Sequence, residues 1–167
     1  MTELQSRRYV ANPSDKILRK EIVVPAKREE VWQAWTTTEG AKTFFSSGAK
    51  VELKPGGPYE IYFILSNPYG HQGSEDCRVL SFLPLEMLTF EWNAPPEFGA
   101  LRSQYTLVVV QLEEIEPKKT RVRLSQLNWG KGKDWDRLYD YFDRAWGYVL
   151  NNLKKRFESG PLNWAKE

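Results

Sequence analysis

The sequence has few of the residues that most metal and catalytic sites use. Its 167 residues include one cysteine, Cys77, and one histidine, His71. A single cysteine excludes an intrachain disulfide, so export to an oxidising compartment is not indicated. One cysteine and one histidine are also too few for a typical zinc site. We therefore expect no metal and no cofactor.

The chain also lacks a large excess of charges of one sign, and it lacks long apolar runs. The chain has 24 basic and 22 acidic side chains and a formal net charge of +2. This balance argues against nucleic acid or an anionic membrane as the main partner. No stretch approaches the roughly 18 consecutive apolar residues of a spanning helix, and no apolar segment follows the basic N-terminal residues. We expect a soluble, cytoplasmic protein without membrane insertion.

Aromatic residues, by contrast, make up 14% of the chain and include seven tryptophans. Near the C-terminus, over residues 134–157, apolar residues recur at steps of three and four. This spacing predicts an amphipathic helix of about 24 residues, on the order of 36 Å long. Gly160 and Pro161 then predict its end. The stripe consists of Trp135, Leu138, Tyr139, Phe142, Trp146, Val149, Leu150, Leu153 and Phe157.

The segment before this helix alternates with period two and predicts strands. A first strand over 16–24 precedes two short helices over 27–36 and 38–45. Six strands follow, over 50–54, 59–65, 76–82, 87–93, 103–113 and 120–127. We expect a flexible leader over 1–14, a single domain over 15–160 and a tail over 161–167. A mostly antiparallel sheet needs one face covered, and the helices can cover it.

Several motifs resemble one family in their order and spacing. They are Val24-Pro25-Ala26 with Glu30 to Thr36, Lys54 to Tyr59, Arg78-Val79-Leu80 with Leu88 to Trp92, Thr120 to Leu124, Trp129-Gly130, Tyr141-Phe142, and Trp146-Gly147 with Leu150 and Leu153. Together they resemble the activator of heat-shock protein 90 ATPase homologue-like family. That family belongs to the START, birch-pollen-allergen and polyketide-cyclase (SRPBCC) superfamily. Two positions depart from the pattern: Phe44-Phe45 stands where tryptophan is frequent, and Gln126 near a frequent histidine.

The resemblance implies an α+β helix-grip fold. About seven antiparallel strands would wrap round the long C-terminal helix, with two short helices after the first strand. Members of the superfamily bind lipids, hormones and polyketides; some catalyse cyclisation or hydrolysis, and one branch activates a chaperone. A shared fold does not fix function.

The aromatic side chains are the candidate ligand-binding residues. In a helix-grip fold the helix stripe would face the strands across a cavity with apolar walls and a few polar tips. The alternative is that the same rings fill a solid core. The candidate residues are Trp35, Phe44, Phe45, Tyr59, Ile61, Phe63, His71, Phe90, Trp92, Trp129, Tyr139, Phe142 and Trp146.

Other polar and special residues have weaker patterns. His71 lies six residues before Cys77, but neither has a partner arrangement that indicates nucleophilic catalysis. Glu91 is expected on a solvated face opposite Phe90 and Trp92, with a cavity acid as the alternative. Gly147 interrupts the long helix and is expected to permit a close approach or a slight bend.

Three functions follow as hypotheses. The first is non-enzymatic binding of a small hydrophobic or aromatic ligand between the sheet and the C-terminal helix. The second is contact with a chaperone, or self-association, through the outer face of the sheet or the loop over residues 95–99. The third is an enzyme of cyclase or hydrolase type that uses His71 or a tyrosine as proton donor. The missing catalytic arrangement favours the first, so we expect no catalytic residue.

Overall fold

The computed structural model describes residues 8–166, which form seven strands and three α-helices. Short 3-10 segments lie at Pro96–Ser103 and Trp164–Lys166. The predicted order of elements is confirmed. The elements are β1 (Leu18–Val24), α1 (Arg28–Thr36), α2 (Thr38–Ala41), β2 (Gly48–Val51), β3 (Tyr59–Tyr62), β4 (Val79–Leu83), β5 (Met87–Trp92), β6 (Thr106–Glu116), β7 (Lys119–Leu127) and α3 (Lys133–Ser159).

The seven strands divide between two antiparallel sheets. Five of them form a sheet in the order β1-β7-β6-β5-β4, while β2 and β3 form a separate hairpin. Isolated bridges from Pro58 to Arg78 and from Tyr62 to Gly73 connect this hairpin to the segment that leads into β4. The hairpin therefore extends the sheet surface past its β4 edge without a continuous ladder.

Strand β3 ends earlier than the alternating pattern predicts. The amides of Phe63 and Ile64 both donate to the carbonyl oxygen of Gln72, at 2.8 and 2.9 Å. Two consecutive amides on one acceptor break the regular ladder. As a result Phe63 and Ile64 are 46% and 47% exposed. They lie at the edge of the core instead of on a strand within it.

Helix α3 covers the large sheet with the stripe that its sequence predicts. Most of the stripe is buried, whereas Tyr139 and Phe157 are partly buried at its margins. Across from it the sheet buries Leu18, Val108 and Leu124 completely. The helix ends at Ser159, and Gly160 follows with φ of 95°. The expected helix-grip arrangement of sheet and C-terminal helix is thus confirmed.

Both ends of the described chain contact the sheet and helices. The Tyr105 amide donates to the Arg8 carbonyl at 2.7 Å, and the Ser14 amide donates to the Trp129 carbonyl at 2.8 Å. At the other end, the indole nitrogen of Trp164 donates to the Lys42 carbonyl at 2.7 Å. Residues 1–7 of the predicted leader and residue 167 of the predicted tail lie outside the described residues.

Within residues 8–166, no helix combines the length and the apolar character that a bilayer-spanning helix needs.

Candidate functional site

The middle of the core is filled by aromatic rings. Trp35 packs edge-on against Phe44 and Phe45, with ring centroids 5.0 and 5.5 Å apart. The ring of Tyr59 stacks on Phe90 at 4.0 Å, and its hydroxyl donates to the Trp35 carbonyl. Seven of the thirteen candidate residues lie in this packed interior and are not among the residues that line the cavity described next: Trp35, Phe44, Phe45, Tyr59, Ile61, Phe90 and Trp129.

A cavity of about 380 Å³ lies beside this packed core, next to α3. Its volume falls in the range of small-molecule pockets. Four candidate residues line it together: Phe63, Trp92, Phe142 and Trp146. Ile64 and three further segments complete the walls, and none of their residues is among the sequence-predicted ligand-binding residues. The segments are residues 72–74, residues 93–96 apart from Ala94, and the α3 residues Tyr141, Ala145, Tyr148 and Val149.

The aromatic wall of the cavity is continuous with the filled core. The Trp92 and Trp146 rings lie 5.2 Å apart, and both contact the buried ring of Phe45, at 5.6 and 5.9 Å. Phe142 stacks on Trp146 at 6.4 Å. Both tryptophans are less than 5% exposed and still line the cavity. One side of each tryptophan ring packs against the core, and this packing fixes the position of the side that faces the cavity.

The side of the cavity away from α3 is a loop, residues 67–74, which we call the rim loop. Glu75 follows it, and its buried carboxylate accepts the amides of Gly70, Gln72 and Gly73 at 2.5, 2.8 and 2.6 Å. Burial alone would raise the pKa of Glu75, but these backbone donors outweigh burial and hold its pKa below the usual value. One carboxylate thus closes the loop.

Arg102 holds the rim loop from the opposite direction. Its guanidinium donates to the carbonyls of Gly70 and Gly73, both at 2.8 Å, and to the Ala94 carbonyl at 2.5 Å. It also pairs with Glu75 at 3.3 Å. Arg102 therefore joins the rim loop to the segment after β5, and the cavity lies between them.

Sequence reasoning missed this arrangement. Neither Glu75 nor Arg102 is among the residues that the sequence patterns select. Gly70 and Gly73, within the loop, were the available clue. A Cβ on Gly73 would lie 1.9 Å from the Ile61 carbonyl oxygen, so only glycine fits at that place.

The remaining candidate residues lie away from the cavity. His71 is exposed in the rim loop, where its amide donates to the Pro68 carbonyl. Tyr139 packs against Trp129, with ring centroids 5.1 Å apart, beside Lys16. Neither lines the cavity in the described part of the chain. Among the polar groups that do line it is Tyr141, whose pKa is raised by burial and by Glu97.

Cys77 and His71 do not form a nucleophile and base. Cys77 is fully buried, and burial raises the pKa of its thiol well above the ordinary value. A buried protonated thiol behaves as a small apolar side chain. Among residues 8–166 no group of three or more histidine, cysteine, aspartate or glutamate side chains has the arrangement to hold a metal ion.

The expectation for Glu91 was wrong: its carboxylate is buried, not solvated. Arg8 donates to it through Nε and Nη2 at 2.8 and 2.7 Å, Arg78 donates through Nε at 3.0 Å, and the Tyr9 hydroxyl also donates. The N-terminal segment covers a face of the sheet that the strand pattern alone leaves open. Since Glu91 alternates with Phe90 and Trp92, it lies on the face away from the cavity.

An antiparallel sheet that packs along one face of a long C-terminal helix, with an aromatic cavity beside that helix, defines a helix-grip protein. Within this class the chain belongs to the family described as Activator of Hsp90 ATPase homolog 1-like protein, whose model matches residues 25–158. The family resemblance seen in the sequence is thereby confirmed.

Solved structures share this fold at low sequence identity. The Aha1 dimer from Colwellia psychrerythraea is 23% identical with a TM-score of 0.66, and the match covers 87% of this chain and 98% of that one. Protein MLL2253 from Mesorhizobium loti is 21% identical with a TM-score of 0.66, covering 88% and 100%. DynU16, from the dynemicin biosynthetic locus, is 18% identical with a TM-score of 0.64, covering 89% and 49%. No curated protein matches the chain in sequence.

Proposed function

We propose that this protein binds a small hydrophobic or aromatic ligand, without catalysing a reaction, in the cavity between α3, the rim loop and the end of β5. One observation carries the proposal. Four aromatic rings from three separate segments, those of Phe63, of Trp92, and of Phe142 and Trp146 on α3, line a space of about 380 Å³ beside a filled aromatic core. An apolar space of this size with a few polar groups is typical of small-molecule sites.

The position of the opening supports the same function. Phe63, Ile64 and Tyr148 line the cavity and are 46%, 47% and 56% exposed. Large apolar side chains exposed together mark a surface that gains free energy when it is covered. A ligand in the cavity would cover part of them and would remove apolar area from water.

A neutral fluorescent dye tests the proposal. Phenylnaphthylamine should bind the wild-type protein with increased emission, and Ala145→Phe should remove this binding because the new ring occupies the cavity. Asn151→Phe is the matched control, since it adds the same ring at an exposed position on α3 that does not line the cavity. Equal dye binding by all three proteins, or none by the folded wild type, would contradict the proposal.

We also propose a second candidate function, contact with an Hsp90-type chaperone in the cytoplasm, with self-association as a related possibility. Membership of a family described by Hsp90 ATPase activation favours the chaperone, and the dimer of the Colwellia relative favours self-association. Stimulation of a purified chaperone's ATPase by this protein tests the first. Sedimentation velocity across a concentration series tests the second. No stimulation and a monomer throughout would exclude both.

A further inference from the structure

The cavity walls carry no charge. Among residues 8–166, none of the side chains that line it is acidic, basic or histidine. The nearby ions Glu75 and Arg102 are both largely buried, and they are bonded to each other and to the backbone of the rim loop. An ionised ligand group would lose water in this cavity and gain no opposite charge there, which is unfavourable.

The side-chain donors of Gln72, Asn93 and Ser74 are occupied, whereas the indole nitrogen of Trp92 and the hydroxyls of Tyr141 and Tyr148 donate to no residue that the structure describes. The Gln72 amide nitrogen donates to the carbonyls of Leu65 and Asn67, at 3.3 and 2.8 Å. The Asn93 amide nitrogen donates to the Glu75 carbonyl at 3.2 Å, and the Ser74 hydroxyl donates to a backbone carbonyl in the same way. All these partners are acceptors, so the orientation of each amide is fixed.

The hydrogen-bond acceptors of Gln72 and Asn93, by contrast, are unpaired among the described residues. The side-chain oxygens of Gln72 and Asn93 accept no hydrogen bond from any residue that the structure describes. The described residues that line the cavity therefore offer unpaired acceptors and unpaired donors together with flat aromatic walls. A hydroxyl or amine hydrogen on a ring requires an acceptor, and the oxygen of a phenol can also accept from an indole or a tyrosine hydroxyl.

We propose that the ligand is an uncharged aromatic molecule that both donates and accepts a hydrogen bond, such as a phenol. This inference rests on the proposed binding function and narrows it. The charge-free walls disfavour a carboxylate or sulfonate inside the cavity, the rings of Trp92 and Trp146 favour flat apolar partners, and the unpaired oxygens of Gln72 and Asn93 favour a ligand hydroxyl. A ligand whose anionic group must enter the cavity should then bind poorly.

Two dyes with one ring system test the charge requirement. Phenylnaphthylamine is neutral, and anilinonaphthalene sulfonate adds a single sulfonate to it. Their dissociation constants should differ by roughly tenfold or more in favour of the neutral dye. Ala145→Phe should abolish the part of the signal that comes from this cavity, so that binding elsewhere is subtracted. Equal affinities that Ala145→Phe abolishes together would overturn this inference and leave the proposed binding function intact.

A second pair of probes tests the donor requirement. Naphthol carries a hydroxyl hydrogen, while methoxynaphthalene has the same rings without it. Naphthol should compete more strongly with the bound dye at neutral pH. Equal competition would overturn the donor part of the inference. Failure of every neutral probe to bind would instead overturn the binding function itself, so the two failures are distinguishable.

Discussion

The side-chain oxygen of Gln126, on β7, accepts a hydrogen bond of 2.7 Å from the indole nitrogen of Trp146, on α3. The amide nitrogen of Gln126 donates to the Thr106 hydroxyl at 2.8 Å, and that hydroxyl donates to the Trp92 carbonyl at 3.0 Å. Gln126, Trp146 and Thr106 are almost completely buried. This chain of three bonds holds the Trp146 ring in the cavity wall. Gln126, which departs from the family's frequent histidine, therefore supports the wall of the cavity.

Replacing Gln126 by leucine should lower the free energy of unfolding by about 1–3 kcal/mol, because a buried indole N–H loses its acceptor. Urea denaturation followed by circular dichroism measures this loss. Gln111→Leu is the matched control: it makes the same change at an exposed position of β6 and should cost less than about 0.5 kcal/mol. Equal effects at the two positions would refute the role assigned to the Gln126 bond.

A glycine inside a helix suggests that another part of the chain approaches the helix closely there, but this is not the case at Gly147. It is exposed in the middle of α3, and a Cβ added there would have no atom within 4 Å among the described residues. Gly147→Ala should therefore stabilise the protein by about 1 kcal/mol, since alanine favours the helix and restricts the unfolded chain. Thermal unfolding measures the gain. Gly73→Ala should destabilise the protein. A loss of stability in Gly147→Ala would refute the interpretation that the space beside Gly147 is open.

The fold was predictable because its signals are local or periodic. The stripe of α3, the glycine and proline after it, and the alternation of β5 to β7 each specify one element directly. The end of β3 was not predictable in this way. It depends on the Gln72 carbonyl, which accepts the amides of Phe63 and Ile64 from a loop with no periodic pattern.

The candidate site was predictable only in part, for a related reason. Hydrophobicity identifies Trp92 and Trp146 as interior residues, but it does not say which side of a ring meets an empty space. Contacts across long sequence separations decide that. Arg8 and Glu91 are 83 residues apart, and their ion pair also engages the segment before the predicted domain. We propose that the folded domain includes Arg8 and so begins before residue 15.

Glu91 should make stability depend on pH in the acid range. Burial raises its pKa, but the hydrogen bonds from Arg8, Arg78 and Tyr9 outweigh this and lower its pKa from 4.5 to about 2. A carboxyl with a lower pKa in the folded state stabilises above its unfolded pKa, and the stabilisation is lost as pH falls towards 2. The effect is on the order of 3 kcal/mol.

The comparison of wild type with Glu91→Gln isolates this effect. The difference between their free energies of unfolding should be largest at neutral pH and should shrink as pH falls from about 4.5 to about 2. Urea titrations at several pH values measure it. Glu114→Gln, at an exposed position of β6, should show no such trend. A difference that stays constant with pH would contradict the ionised, arginine-bonded state of Glu91.

Arg102 should affect ligand binding in the cavity more than the stability of the core. Arg102→Met keeps much of the side chain's length and removes the donors to Gly70, Gly73, Ala94 and Glu75. The rim loop would then keep the bonds of the Glu75 carboxylate and its own backbone bonds but lose its link to the segment after β5, so it should open more often. We expect weaker binding of the neutral dye by roughly tenfold, equivalent to about 1.4 kcal/mol.

Hydrogen exchange separates an effect on the rim loop from a general loss of structure. In Arg102→Met the amides of Gly70, Gln72 and Gly73 should exchange faster. Amides in the β6–β7 ladder should keep their protection, because none of the hydrogen bonds that the structure describes for Arg102 reaches those strands. Arg123→Met is the control, since it removes an arginine from exposed ion pairs that contribute little. Faster exchange throughout the β6–β7 ladder would show that Arg102 stabilises the whole fold. Dye binding as tight as in the wild type would show that Arg102 has no part in shaping the cavity.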